Sequence, residues 1–238
     1  MSTRTIGVAI AIPEPHGAQL QRVRESYGDP LARSIPSHIT LLPPTLVDGE
    51  DLDVVETHLR KIAESLQPFE IHLRGTGTFR PVSPVVFISV AVGISECERL
   101  ESRVRSGPLA RDLTFPYHPH VTIAHDLPDD VLERAFDEMA SYDVRFDVWG
   151  FSLYEHGPDG LWRPQRDFPL GRAGLVSLKI GEHGWTKAVL HVLDSVLRHR
   201  AAVAPVLFHV AQHGGDDEEA EGRCGVPRRF VRQRSRRG

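Results

Sequence analysis

His38-Ile39-Thr40-Leu41 and His120-Val121-Thr122-Ile123 share one pattern: a histidine, an apolar residue, a threonine and a second apolar residue. In a β-strand, successive side chains point to opposite faces, so residues two apart share a face. The histidine and the threonine of each stretch therefore share a face, and the two apolar residues occupy the other. The pattern predicts two strands, each with one face in the core and a polar face that lines a cleft.

The repetition of this pattern exceeds what chance provides. With 13 histidines in 238 residues and an apolar content of 40%, random placement gives on the order of 0.1 such patterns per chain. Both stretches also follow proline-containing segments, Ile35-Pro36-Ser37 and Phe115-Pro116-Tyr117-His118-Pro119. Proline suits the start of a strand or a sheet edge. The alternative is that both are ordinary half-buried strands whose histidine and threonine have only structural roles.

The polar residues of the two stretches match the needs of phosphate chemistry. An imidazole titrates near pH ~6.5 and can give or accept a proton at neutral pH. A threonine hydroxyl can donate a hydrogen bond to a phosphoryl oxygen. The sequence therefore predicts proton transfer around a phosphate, with His38, Thr40, His120 and Thr122 as the catalytic residues.

The hydrophobic pattern around the motifs predicts alternating strands and helices. Strands are expected over residues 4–12, 37–42, 69–75, 84–92, 120–124, 143–155 and 160–168, and helices over 16–27, 50–66, 95–106 and 129–141. The order strand, helix, histidine strand, helix, strand occurs twice. This near-repeat predicts two similar lobes related by a pseudo-two-fold axis, with a cleft between them.

Composition restricts the class of substrate and partner. Residues 1–171 carry 25 acidic and 16 basic side chains. Such an acidic body would repel a long polyanion, which favours a small substrate such as a nucleotide or an RNA terminus. The two cysteines, Cys97 and Cys224, have no metal-like spacing, and the N-terminus lacks the layout of a signal peptide. We expect a cytoplasmic protein with no transmembrane helix.

Residues 4–171 resemble the 2H phosphoesterases, in particular the bacterial 2′-5′ RNA ligase branch. The two His-x-Thr motifs are the specific part of the resemblance, and other segments support the order of elements. These segments are Thr5-Ile6-Gly7-Val8-Ala9-Ile10, Leu42-Pro43-Pro44, Gly75-Thr76-Gly77-Thr78-Phe79-Arg80 and Pro84-Val85-Val86-Phe87.

The resemblance implies an α+β fold: a bilobal pseudo-two-fold arrangement of two antiparallel sheets, with flanking helices and a central cleft. It implies cleavage of 2′,3′-cyclic phosphates or reversible formation of 2′-5′ bonds, on RNA termini or small cyclic nucleotides. Following the family, His38 is expected to be the general acid and His120 the general base. No metal or cofactor is expected, and the protein is expected to be a monomer.

Four further residues are candidates for substrate binding. Arg80 follows Phe79 in the predicted loop and could contact a phosphate, although a solvated loop arginine is the alternative. Phe79, Phe115 and Tyr117 could stack on a base, although aromatic residues beside strands are more often part of the core. His118 and His125, which flank the second motif, are expected to be surface or structural histidines. We predict Arg80, Phe79 and Tyr117 as the substrate-binding residues.

Other interpretations stay open from the sequence. A binding module of the same fold could hold a nucleotide without turning it over. A zinc site is a poor match, because zinc usually takes three or four His, Cys or carboxylate ligands. For the domains, we predict a 2H phosphoesterase domain over residues 1–171 and a C-terminal extension over 172–238. The extension is expected to be helical over 185–199 and disordered at its end.

Overall fold

The computed structural model describes residues 2–171, and the predicted extension lies outside the described residues. The strands are β1 (Thr3–Ala11), β2 (His38–Asp48), β3 (Phe69–Thr78), β4 (Val85–Val92), β5 (His120–His125), β6 (Asp143–Val148), β7 (Gly150–His156) and β8 (Trp162–Pro169). The helices are α1 (His16–Ser26), α2 (Leu52–Ser65), α3 (Ile94–Val104) and α4 (Asp129–Glu138). Short 3₁₀ turns lie at Gly49–Asp51 and Gly107–Leu109.

The described strands form two antiparallel sheets of four strands each. One sheet has the order β2-β1-β7-β8, and the other has the order β5-β4-β3-β6. Each histidine strand, β2 or β5, is the edge strand of its sheet, and the two edges lie beside each other. We call the β2-β1-β7-β8 half of the molecule lobe 1 and the β5-β4-β3-β6 half lobe 2. The predicted α+β, bilobal, antiparallel fold is confirmed.

The predicted near-repeat has a direct counterpart in the strand order. The unit β1-α1-β2 of lobe 1 corresponds to β4-α3-β5 of lobe 2, because each consists of a central strand, a helix and an edge strand that carries the motif. The helices cross over between the lobes: α1 packs near β5, and α3 packs near β2. This exchange holds the two motif strands side by side.

The predicted single strand over residues 143–155 is wrong. It is two strands, β6 in lobe 2 and β7 in lobe 1, separated at Trp149. The residues of β6 that pack in the hydrophobic core are even-numbered and end at Val148, whereas those of β7 are the odd-numbered Phe151 and Leu153. Gly150 permits the crossing, because a Cβ there would lie 2.7 Å from the backbone oxygen of Phe168. The chain thus changes sheets where its apolar alternation changes phase.

Strand β2 is longer than predicted. It continues through Pro43 and Pro44 to Asp48 and pairs with the start of β1, after irregularities between Ile6 and Ala9. A proline cannot donate to a ladder, but an edge strand leaves one side unpaired and can accommodate it. The predicted hairpin around residues 157–160 is present between β7 and β8, where Gly160 adopts a positive φ of 79°.

A continuous hydrophobic core links the two sheets and the helices. The helix predicted over residues 50–66 is present as α2, which buries Val55, Leu59, Ile62 and Ala63 on one face. Arg166 on β8 bonds to Glu56 on this helix at 2.8 Å, so α2 lies on the face of lobe 1 opposite the cleft. Within residues 2–171, no helix combines the length and the apolar character that crossing a membrane requires.

Candidate active site

The two motifs present their polar residues in the predicted alternation. His38 and Thr40 are half-buried on β2, while Ile39 and Leu41 are buried in the core. His120 and Thr122 are half-buried on β5, while Val121 and Ile123 are completely buried. The apolar residues anchor each strand to the core and leave the histidine and the threonine accessible from the cleft side.

Both histidines are oriented by the same backbone contact. Nδ1 of His38 lies 2.7 Å from the carbonyl oxygen of Pro36, and Nδ1 of His120 lies 2.7 Å from that of His118. A carbonyl can only accept, so each Nδ1 must carry a proton. In the neutral ring, Nε2 then has a free lone pair. Among residues 2–171, neither Nε2 has a hydrogen-bond partner, so both are available to a substrate or water.

The surroundings favour the neutral form of both rings. Burial lowers the pKa of His38 to about 4, against an opposing effect of the hydrogen bond to Pro36; Arg24 and His120 lower it further. Burial also lowers the pKa of His120, and the charge of His118 acts in the same direction. Because the charge of His120 affects His38, the two imidazoles lie within electrostatic reach of each other. A bound anion would oppose these effects by favouring the charged ring.

Aromatic rings surround the histidine of lobe 2. The ring centroid of His120 lies 5.0 Å from that of Phe79, and the two rings are nearly perpendicular. The ring centroid of Phe87 lies 5.1 Å from that of His120. The ring centroids of these two phenylalanines are 4.5 Å apart, and both rings also pack against that of His118. Phe79 therefore lies against the second motif, and its ring restricts the orientation of His120.

Tyr117 connects the two lobes. Its hydroxyl donates to the backbone oxygen of Thr40 at 3.0 Å, and burial raises its pKa. The phenol is therefore a proton donor to β2 across the neutral range. Its ring packs against the hydrophobic core, so this contact positions one motif strand relative to the other.

The structure places Arg80 in contact with α4. Its guanidinium lies 3.0 Å from a carboxylate oxygen of Glu133 and 3.3 Å from Oγ1 of Thr78. The pairing with Glu133 partly neutralises the charge that was expected to meet a phosphate. Phe115 is 63% exposed on the segment that leads to β5. His125 lies 3.3 Å from Asp126 at the end of β5.

Sequence reasoning missed the wall of a cavity next to His38. This cavity, of about 120 Å³, lies between β2 and the β7-β8 hairpin. Its lining includes His38, Thr40, Gly7, Ala9, Ile35, Pro43, Pro44, Tyr154 and Trp162. The available signal was Gly7, because a glycine within a strand often marks the close approach of another group. A larger depression of about 430 Å³ lies elsewhere, lined by residues of α2 such as Asp53 and Lys61.

The donor set of the cleft is suited to protons more than to a metal. Two imidazoles and two hydroxyls do not provide the three or four His, Cys or carboxylate ligands that zinc normally takes. Within residues 2–171, no group of three or more His, Cys, Asp or Glu side chains could hold a metal ion.

Comparison with known proteins agrees with this arrangement. A family model described as the 2′-5′ RNA ligase superfamily matches residues 12–160. A predicted phosphoesterase of Oceanobacillus iheyensis is 31% identical over 170 residues, which cover 70% of this chain and 98% of that protein. A crystal structure described as a phosphoesterase has a TM-score of 0.53 and 19% identity, and one of LigT from E. coli has a TM-score of 0.51 and 20% identity. Each covers 72% of this chain and all of the other.

The structural likeness establishes a common fold, and the family model spans both His-x-Thr motifs. The Oceanobacillus iheyensis relative is matched along nearly its whole length. The chain therefore belongs to the 2′-5′ RNA ligase superfamily, the 2H phosphoesterases.

Proposed function

We propose that the protein is a metal-independent phosphoesterase that acts on 2′,3′-cyclic phosphates or 2′-5′ linked nucleotides by two-histidine acid–base catalysis. The observation that carries the proposal is the pair of Nδ1–carbonyl hydrogen bonds, at 2.7 Å each, that leaves both Nε2 atoms free. A general acid and a general base must each present an accessible nitrogen to the reacting atoms. The hydroxyls of the neighbouring Thr40 and Thr122 donate hydrogen bonds to the non-bridging oxygens of the phosphate.

In hydrolysis of a 2′,3′-cyclic phosphate, Nε2 of His120 takes a proton from water while the water oxygen bonds to phosphorus. The anionic phosphate favours the imidazolium of His38, which carries a proton on Nε2 as well as on Nδ1. The bond from phosphorus to one ribose oxygen breaks, and Nε2–H of this imidazolium donates its proton to that oxygen, which leaves His38 neutral. Each proton transfer contributes typically 10²–10⁴-fold to the rate. In the reverse direction, the two histidines exchange roles.

Arg80, Phe79 and Tyr117 remain the proposed substrate-binding residues. Phe79 is proposed to contact the substrate at its reacting end, because its ring lies against that of His120. The fold accommodates a nucleotide in E. coli LigT, which has been crystallised with NADP⁺. We extend that to this chain as a proposal: its substrates are RNA termini or small cyclic nucleotides, acted on by a monomer in the cytoplasm.

Turnover of nucleoside 2′,3′-cyclic phosphates and 2′-5′ linked dinucleotides tests the proposal. The full chain is expected to open the cyclic phosphate, and His38→Ala and His120→Ala are each expected to lose 10²-fold or more. His58→Ala is the control, since its ring lies outside the cleft, 3.3 Å from the backbone oxygen of Val104. Activity unchanged by either motif substitution would exclude the two-histidine mechanism.

The alternative is a nucleotide-binding module of the same fold without turnover. It predicts binding of adenosine 3′-phosphate by the unaltered chain with no hydrolysis of any cyclic phosphate or 2′-5′ bond. All four polar motif positions are occupied by histidine or threonine, which favours the enzyme.

A further inference from the structure

We propose that the base-bearing half of the substrate binds in lobe 1, over Gly7 and Ala9 and against the ring of Trp162. This inference rests on the proposed function and adds an orientation for the bound substrate. The planar ring of the base lies on the His38 side of the cleft and not on the His120 side. The two halves of the site, although related by the pseudo-two-fold repeat, differ in how much space they leave.

The difference appears at equivalent cross-strand positions. In lobe 1, the neighbour of Thr40 on the adjacent strand is Ala9. In lobe 2, the neighbour of Thr122 is Phe87, whose ring packs against Phe79 and His120. The space beside Thr122 is therefore filled by aromatic side chains of the protein, whereas the space beside Thr40 forms the open cavity.

Trp162 forms one wall of this open half. Its backbone N–H donates to the carbonyl of Ser34 at 2.8 Å, and its ring lies 4.9 Å from that of His156. A Cβ at position 7 would approach the Trp162 ring to 3.2 Å, so Gly7 allows the indole to lie over β1. The indole is half-buried and belongs to the cavity lining together with His38 and Thr40.

The chemistry of the lining indicates which part of a substrate fits. Besides His38, Tyr154 is the only residue of the cavity lining with an ionisable side chain, and burial raises its pKa to about 12, so the phenol is uncharged near neutral pH. Apart from His38, the lining offers no basic side chain that could pair with a second phosphate. An uncharged planar ring, in contrast, can stack on the indole of Trp162. The phosphate that reacts would then lie between the motifs, with its base on the lobe 1 side.

Two substrates with the same reacting group separate this inference from the proposed function. Adenosine 2′,3′-cyclic phosphate carries a base, and glycerol 1,2-cyclic phosphate has the same five-membered cyclic phosphate without one. Trp162→Ala is expected to raise KM for the adenosine substrate about 10-fold and to change KM for the glycerol substrate less than 2-fold. Trp162→Phe should restore most of the affinity for the adenosine substrate.

Two further variants sharpen the test. Ala9→Phe places a phenylalanine beside Thr40, as Phe87 lies beside Thr122 in lobe 2. This variant should likewise raise KM for the adenosine substrate only. Trp149→Ala is the matched control, because Trp149 is 48% exposed and does not line the cavity. An equal change in KM for both substrates, or none for the adenosine substrate, in Trp162→Ala would overturn the inference.

A binding measurement keeps the inference testable if neither substrate is hydrolysed, an outcome that would contradict the proposed function alone. Calorimetric titration with adenosine 3′-phosphate and with inorganic phosphate then replaces the kinetic assay. Trp162→Ala should weaken binding of the nucleotide about 10-fold and leave that of phosphate unchanged. Equal effects on the two ligands, or no effect on the nucleotide, would exclude the lobe 1 ring site.

Discussion

The hydroxyl of Tyr117 lies 3.0 Å from the backbone oxygen of Thr40, so a side chain just before one motif is bonded to the main chain of the other. The contact joins the segment that leads into β5 to β2, the edge strand of the other sheet. The separation of the two histidines therefore depends on a hydrogen bond between the lobes as well as on the core beneath them.

Removing this hydroxyl should affect stability and turnover together. Tyr117→Phe is expected to lower the free energy of unfolding by about 1 kcal/mol, the usual net value of one hydrogen bond, and to lower kcat several-fold. Tyr142→Phe is the matched control, since within the described residues its buried hydroxyl has no partner. Denaturant unfolding and steady-state kinetics measure both; equal kcat in the two variants would show that the cross-lobe bond does not position the motifs.

The motif threonines are expected to act through their hydroxyls. Thr40→Val and Thr122→Val preserve the side-chain shape and should lower kcat on the order of 10²-fold, as when one donor to a developing oxyanion is lost. Thr40→Ser and Thr122→Ser should retain most activity. Thr45→Val is the control, because Thr45 lies on β2 like Thr40 but its hydroxyl donates to the backbone carbonyl of Pro43. Full activity in the valine variants would remove the threonines from the mechanism.

The two motif histidines should shift the pH optimum of kcat/KM to acidic values. Burial disfavours the charged imidazolium and lowers the pKa of both rings, that of His38 to about 4. Since kcat/KM reports the free enzyme, its optimum should lie below pH 6.5. A bound anionic phosphate favours the imidazolium, so the optimum of kcat should lie at higher pH. A kcat/KM optimum above pH 7, or one above that of kcat, would contradict the burial effect.

The same pKa change makes a prediction for stability. Between about pH 6.5 and pH 4, His38 binds a proton in the unfolded chain but not in the folded one. Stability should therefore fall as the pH falls through this window, with a contribution from His38 of at most about 1.4 kcal/mol per pH unit. Denaturant unfolding of His38→Asn at several pH values should show a weaker dependence; an unchanged slope would contradict the prediction.

Chelation should leave the reaction intact. Protons and hydroxyl hydrogen bonds supply the proposed chemistry, and the cleft residues form a poor ligand set for zinc. Turnover of a cyclic phosphate in excess chelator is expected to equal that of the untreated protein. Loss of turnover that added zinc restores would point to a metal-dependent mechanism instead.

The motif geometry was predictable because a strand period of two is a local property. Knowing that His38 and Thr40 share a face requires only the backbone geometry of residues 38–41. The change of sheet at Trp149 also left a local trace, because the core residues are even-numbered up to Val148 and odd-numbered from Phe151.

The cavity wall left only one local trace, the glycine at position 7 within β1, which does not say which residue approaches it. Trp162 lines the same cavity as His38 because β8 pairs with β7 in a local hairpin and β7 pairs with β1, and the second of these pairings joins distant parts of the chain. The partner of Arg80 was hidden for the same reason, since Glu133 lies on α4. Side-chain neighbours across sheets follow from tertiary pairing, which a periodicity of two or 3.6 residues does not encode.

The passage of the chain between sheets at Trp149 has a consequence for how the protein is made. Lobe 1 takes β1 and β2 from the start of the described chain and β7 and β8 from its end, so its sheet is incomplete until residue 169 has been synthesised. A break in the loop between β3 and β4 would leave strands of both sheets on each fragment. Neither fragment could then build one half of the site alone, and catalysis would report on the reassociation of the two pieces.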